Sequence, residues 1–169
     1  MIINGSALLA AAPIVDMVPS KMVGPGGTSF GLGEAGYDIR IKQTIIFTEA
    51  GDKRVIEVRD GSSWPAMSMG RFALASAIDK FQMPDDLVGI VHDKSTWARK
   101  GLSVFNTVIE PGWKGFLTLE LVYHGEGELV IPAGAGIAQV IFHEVKEPAL
   151  YTGKYANQPD RPVGPIESI

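Results

Sequence analysis

A chain of 169 residues is long enough for one domain with a substantial core and short for two. Hydrophobic residues make up 46% of it and charged residues 20%, with a net charge of −4, which reads as a soluble globular protein without the basic excess of a nucleic-acid-binding surface. The absence of cysteine excludes a disulfide scaffold, an iron–sulfur centre, a cysteine nucleophile and a cysteine-ligated zinc.

The opening stretch "MIINGSALLAAAPIVD" has no basic leader, and its apolar run stops at Pro13. That pattern predicts neither signal peptide nor membrane span, so the expected location is the cytoplasm, or the host cytoplasm for a viral protein. Ser6 is placed to cap a short helix over residues 6–12. "GLGEAG" at 31–36 has the G-x-G-x-x-G spacing of a dinucleotide loop, but that loop must open a helix. A strand-like run, "YDIRIKQTIIF" (37–47), follows instead, so the glycines are expected to lead flexibly into a strand. Further strands are expected at 53–59, 71–77, 87–92, 102–109, 116–124, 127–131 and 135–145, each rich in Val, Ile, Phe or Thr and bounded by turn residues such as Pro111-Gly112. A second short helix is expected in "STWARK" (95–100), opened by Ser95. After about Pro148 the chain is polar and proline-rich without hydrophobic period, the composition of an arm that orders only against something else. The expected organisation is one domain over 1–148 and an arm over 149–169. Many short strands between turns predict an all-β sandwich or barrel.

Within "FLTLELVYH" (116–124), alternation places Leu117, Leu119, Leu121 and Tyr123 on one face and Phe116, Thr118, Glu120, Val122 and His124 on the other. Glu120 is then either a solvent-facing strand residue or, flanked by Phe116 and Val122, a carboxylate whose pKa a semi-apolar pocket raises toward that of a general acid/base. Periodicity does not choose between them.

The surrounding motifs add a resemblance. "HDKSTWARKGL" (92–102), "NTVIEPGWKGFLTLEL" (106–121), "AGAGIAQVIFH" (133–143) and "GKYANQ" (153–158) follow one another as do the motifs of the dCTP deaminase family, and "AGYDIR" (35–40) is similar to the first motif of the wider dUTPase-like group. The resemblance implies a distorted jelly-roll β-barrel that assembles as a homotrimer with active sites between subunits, acting on dCTP or dUTP and not on polymeric nucleic acid or membrane. It assigns Glu120 as the general acid/base, with Ser95 and Arg99 completing the catalytic group. Lys94, Ser95 and Thr96 fall on a phosphate-binding Arg-Ser-Ser. Lysine there keeps the charge but loses the bidentate fork, and threonine keeps the hydroxyl. Glu110 stands where the family has an aspartate near sugar and base. Lys154, Tyr155 and Gln158 match an arm that folds over the nucleotide, and Tyr151 matches a further tyrosine at shorter spacing. Read without the resemblance, Ser95 is a helix cap, Arg99 a surface ion-pair partner, Glu110 a turn residue and the arm a disordered tail.

The implied reaction is hydrolytic deamination of dCTP to dUTP, without zinc and with Mg2+ carried on the triphosphate. Whether cleavage continues to dUMP and pyrophosphate is not legible in the motifs. A dUTPase, or a non-catalytic nucleotide-binding module on the same fold, are the alternatives. Typical dUTPases carry an aliphatic residue at the position of Glu120 and end in a glycine-rich motif unlike "KYANQPDRPVGPIESI".

Overall fold

The computed structural model describes residues 1–61, 65–105 and 107–167. In chain order its elements are β1 (Ile2–Ile3), α1 (Gly5–Ala11), β2 (Lys21–Val23), β3 (Ser29–Leu32), β4 (Tyr37–Arg40), β5 (Thr44–Ala50), β6 (Lys53–Arg59) and β7 (Ala66–Met69). Then come β8 (Phe72–Gln82), β9 (Leu87–Asp93), α2 (Ser95–Ala98), β10 (Leu102–Val104), β11 (Val108–Ile109), β12 (Lys114–Tyr123), β13 (Leu129–Ile131) and β14 (Gly136–Glu144). A 3-10 turn covers Pro25–Gly27.

Among the described residues the strands form three antiparallel sheets. The largest runs β11-β9-β14-β4-β3-β2 with β1 added on β14, the second β10-β12-β8, and the third β13-β5-β6-β7. The inner faces meet in one core, in which Ile39, Ile45, Ala75, Leu119, Leu121 and Ile131 are fully buried. The chain is thus all-β with a jelly-roll-like arrangement, as its many short strands and turns predict.

Two expected strands are each divided between sheets. The run 37–47 is two strands in different sheets. Gln43 sits buried at the crossing, where its amide accepts from the Ser76 backbone N–H at 2.8 Å and donates to the Ser76 hydroxyl at 3.0 Å. An amide that satisfies itself sideways lets the backbone leave one sheet and join another without an orphaned polar group. The run 102–109 divides likewise into β10, paired with β12, and β11, paired with β9. Asn106 between them lies outside the described residues. "GLGEAG" is a hairpin turn joining β3 to β4, closed by Gly33 N–H donating to Gly36 O at 2.9 Å.

The helices also depart from expectation in detail. Asn4, not Ser6, occupies the N-cap of α1, and its side chain donates instead to the carbonyl of Glu34 at 2.7 Å. Lys94 precedes α2, and Ser95 lies inside that helix with no capping hydrogen bond. The glycine of "AGIAQV" has a steric cause. A Cβ on Gly136 would stand 1.8 Å from the carbonyl oxygen of Ser29, so only glycine permits β14 to lie there.

Candidate active site

Glu120 projects from β12 into a cavity of about 560 Å³. The simple alternation of this strand breaks before it. Pairing with β8 shifts register between Phe116 and Thr118, so Leu117 turns partly out of the core and lines the cavity together with Thr118 and Glu120. Sequence periodicity had placed Leu117 with the buried leucines. Leu119, Leu121 and Tyr123, beyond the irregularity, are buried as expected.

Two residues of β12 that face the cavity differ in burial. Thr118 is buried and Glu120 half-buried. Burial pushes the Glu120 carboxyl above its ordinary range, because removing water penalises the charged form. The walls around it are largely apolar, with Phe72, Leu74, Val91 and Ile109 among them. A carboxyl that holds its proton more tightly, in a pocket large enough for a small ring, is suited to receiving and returning protons.

Glu110 lines the same cavity from the turn before β12, where Trp113 N–H donates to the Glu110 carbonyl at 3.1 Å. Its backbone therefore makes the turn while its side chain is left to the cavity. Trp113 is buried against Phe81, with ring centroids 6.0 Å apart, and its indole N–H donates to the carbonyl of Tyr155 at 2.8 Å. That bond ties the arm to the barrel.

The arm is ordered against its own barrel. Gln158 forms a parallel bridge with Gly115, and Phe116 N–H donates to the Gln158 carbonyl at 3.1 Å. Gly115 has φ +132, and a Cβ there would stand 2.5 Å from the backbone nitrogen of Gln158, so this approach requires glycine. Tyr151, Tyr155 and Gln158 all line the cavity, and Val163, Gly164 and Pro165 complete one wall. Lys154 does not line it. Its ammonium donates to the carbonyl of Ile166 at 2.6 Å and lies over the Tyr155 ring, 5.2 Å from the centroid. Composition marked this segment as an arm but carried no signal for Val163–Pro165 as wall residues. Thr118 was legible as a neighbour of Glu120, two residues away on one face, and Trp113 only as part of a motif.

Five residues singled out from sequence are thereby brought together: Glu120, Glu110, Tyr151, Tyr155 and Gln158. Those around α2 are elsewhere. Ser95, Thr96 and Arg99 are exposed and do not line this cavity. Arg99 N–H donates to Ser95 O at 3.0 Å, so the two do share a helix face. The Ser95 side chain makes no hydrogen bond among the described residues, which removes the helix-cap explanation for it. Trp97 anchors α2, fully buried with its indole N–H on the carbonyl of Gly136 at 2.7 Å.

Lys94 is not presented to solvent. Its ammonium forms an ion pair with Asp38 and donates to the hydroxyl of Ser29 at 3.0 Å, and the Ser29 hydroxyl donates to the same Asp38 oxygen at 2.9 Å. Both charged side chains are nearly buried, at 11% and 3% exposure. Next to Asp38 on β4, the Arg40 guanidinium pairs with buried Asp79 at 2.8 Å, which holds the arginine above its ordinary range.

Among the described residues, no group of three or more His, Asp or Glu side chains is arranged to hold a metal ion. Among the described residues, no helix is long and apolar enough to cross a membrane.

Residues 12–145 match the sequence profile of the family described as dCTP deaminase-like. The chain is 36% identical over 162 residues to a dCTP deaminase of Protochlamydia amoebophila, covering 86% of this chain and 85% of that protein. It is 39% identical over 155 residues to one of Campylobacter curvus, covering 82% of each. In fold it resembles a mutant dUTPase from phage phi11 of S. aureus, with a TM-score of 0.50 at 16% identity over 72% of this chain and 84% of that one. By profile and by relatives matched over most of their length, the chain belongs to the dCTP deaminase-like family.

Proposed function

We propose that the protein deaminates dCTP to dUTP, with the cytosine ring in the β12 cavity and Glu120 as general acid/base. The single observation that carries this reading is a half-buried glutamate whose pKa burial raises, standing in a cavity closed by the arm. Glu120 takes a proton from water as the oxygen adds to C4. It then returns protons to N3 and to the departing amino group, so that dCTP and water become dUTP and ammonia. Apolar walls and the docked arm keep bulk water from competing.

The exposed hydroxyl of Ser95 and guanidinium of Arg99 lie outside this cavity, which supports a site completed by α2 of a second copy within a homotrimer. Thr96 beside them and Lys154 on the arm would meet the triphosphate. Glu110, Tyr151, Tyr155 and Gln158 would contact base and sugar. With no dedicated acidic cluster among the described residues, Mg2+ would arrive as part of the nucleotide, chelated by phosphate oxygens. The chemistry needs no zinc, and the chain has no cysteine to build the zinc site of other deaminases. A cytoplasmic location suits an enzyme of nucleotide metabolism.

The test is incubation with dCTP and, separately, dUTP in the presence of Mg2+, with products resolved by anion exchange. Deamination that disappears in Glu120→Gln supports the reading, and dUMP among the products adds diphosphatase activity. Intact dCTP beside cleaved dUTP would make the protein a dUTPase. Mixing inactive Glu120→Gln with inactive Arg99→Ala should restore activity if sites are shared between subunits, and should restore none if each chain is self-sufficient.

A further inference from the structure

Past Gln158 the chain turns back on the arm, and four contacts hold this tail in place. The Asp160 carboxylate pairs with Lys42 at 2.6 Å. The Val163 N–H donates to the Thr118 hydroxyl at 3.0 Å. The Ile166 N–H donates to the Tyr155 hydroxyl at 3.2 Å, and the Ile166 carbonyl accepts from the Lys154 ammonium at 2.6 Å. The arm itself is fastened independently, by the Gly115–Gln158 bridge and by the Trp113 indole on the Tyr155 carbonyl.

One residue of the tail thus engages both polar groups of the arm. Lys154 has no carboxylate partner among the described residues. Its charge is met only by a neutral carbonyl and by the face of the Tyr155 ring, 5.2 Å from the centroid. A phosphate oxygen carries formal charge where a carbonyl offers a dipole, so phosphate is the stronger partner for this ammonium. Two of its hydrogens remain, but carbonyl and ring fix where they are, and the side chain stays out of the cavity. Glu167, exposed and next in the chain, adds a negative charge to the approach.

We propose that the backbone of Ile166 is an internal competitor for the triphosphate: it holds Lys154 in the empty site and must leave before the lysine turns to phosphate. The tail is then an autoinhibitory strap that lowers affinity for the phosphorylated ligand and leaves recognition of the base alone. This rests on the reading that Lys154 meets the triphosphate. A tail that served only as a wall of the base cavity would act alike on ligands with and without phosphate.

Binding of dCTP with Mg2+, and separately of deoxycytidine, is measured by calorimetry on the full chain in the Glu120→Gln background, which keeps dCTP intact. Val163→Pro/Ile166→Pro removes both tail N–H donors and alters no residue assigned to the nucleotide. It should raise the ratio of dCTP to deoxycytidine affinity by about tenfold, the worth of one charge-assisted hydrogen bond that no longer has to be given up. Val163→Ala/Ile166→Ala keeps both donors and should keep the parental ratio. Adding Lys154→Met to the proline pair should erase the gain. An unchanged or lowered ratio in the proline pair, a gain that survives Lys154→Met, or no binding of dCTP to parent and variant overturns the proposal. Turnover of dCTP by the wild type is scored separately. A raised ratio in a protein without turnover removes the catalytic reading alone, and turnover with an unresponsive ratio removes this proposal alone.

Discussion

Replacing Lys94 with methionine tests whether this residue stabilises the fold or serves phosphate. Its ammonium is the partner of Asp38, itself 3% exposed, and the other carboxylate oxygen of Asp38 is buried without a hydrogen bond. Methionine preserves most of the side-chain volume, so the principal loss is electrostatic. The Asp38 carboxylate would keep only the Ser29 hydroxyl on its bonded oxygen. Removing one partner of a buried pair costs about 3–5 kcal/mol, because the remaining charge stays desolvated. For a domain of this size that corresponds to a fall of about 6–20 °C in Tm. Thermal unfolding at fixed protein concentration and neutral pH reads the effect, with Lys94→Met/Asp38→Asn alongside. The double variant should recover most of the loss, since no buried charge is left uncompensated. A drop below about 1 kcal/mol in Lys94→Met, or a double variant no more stable than the single one, would refute the structural assignment. In that case, a large rise in KM for dCTP would return Lys94 to the phosphate.

Trp97→Phe removes the hydrogen bond to the Gly136 carbonyl and part of a fully buried ring system, and should cost about 2–4 kcal/mol through the orphaned carbonyl and the space left behind; denaturant unfolding checks it, and activity should fall with it because Trp97 seats the helix bearing Ser95 and Arg99. Glu120→Gln should raise stability at neutral pH. The folded carboxyl holds its proton more tightly than the unfolded one, so wild-type stability falls as pH rises from the ordinary value near 4.5 through the raised one and stays lowered above it. The Tm difference between variant and wild type should therefore be small in acid and grow toward pH 7, and a difference independent of pH would count against burial as the cause. Gly115→Ala should lift the arm, because its Cβ would stand 2.5 Å from the Gln158 nitrogen. Faster tryptic cleavage after Lys154 and a loss of about 10²-fold in kcat/KM are expected, with a lowered Tm from the strain of alanine at φ +132.

How much of this was legible beforehand depends on the range of the interaction responsible. The all-β class followed from short β-branched runs between Pro and Gly turns, since strand propensity and turn chemistry act over a few residues. Glu120, Ser95 and Arg99 were singled out by ordered motifs, and alternation placed Thr118 beside Glu120. Alternation failed at Leu117 because the register shift against β8 reverses which way one side chain points, and a register is a property of two strands. Ser95 was a plausible cap, yet Lys94 took that position. Lys94 itself matched a phosphate-binding arginine in order along the chain, but its charge is satisfied by Asp38, 56 residues earlier.

By itself the sequence determined the strand-rich class, the missing cysteine chemistry, the polar arm and the carboxylate worth testing. Those depend on composition and on neighbours within one turn or strand. Only the tertiary structure decided that Glu120 faces a cavity and not water, that Lys94 is internal, that Ser95 and Arg99 lie apart from Glu120, and that the arm lies on β12 with Val163–Pro165 as a wall. Each of those depends on desolvation or pairing between segments far apart in the chain, and burial exists only once those segments have met.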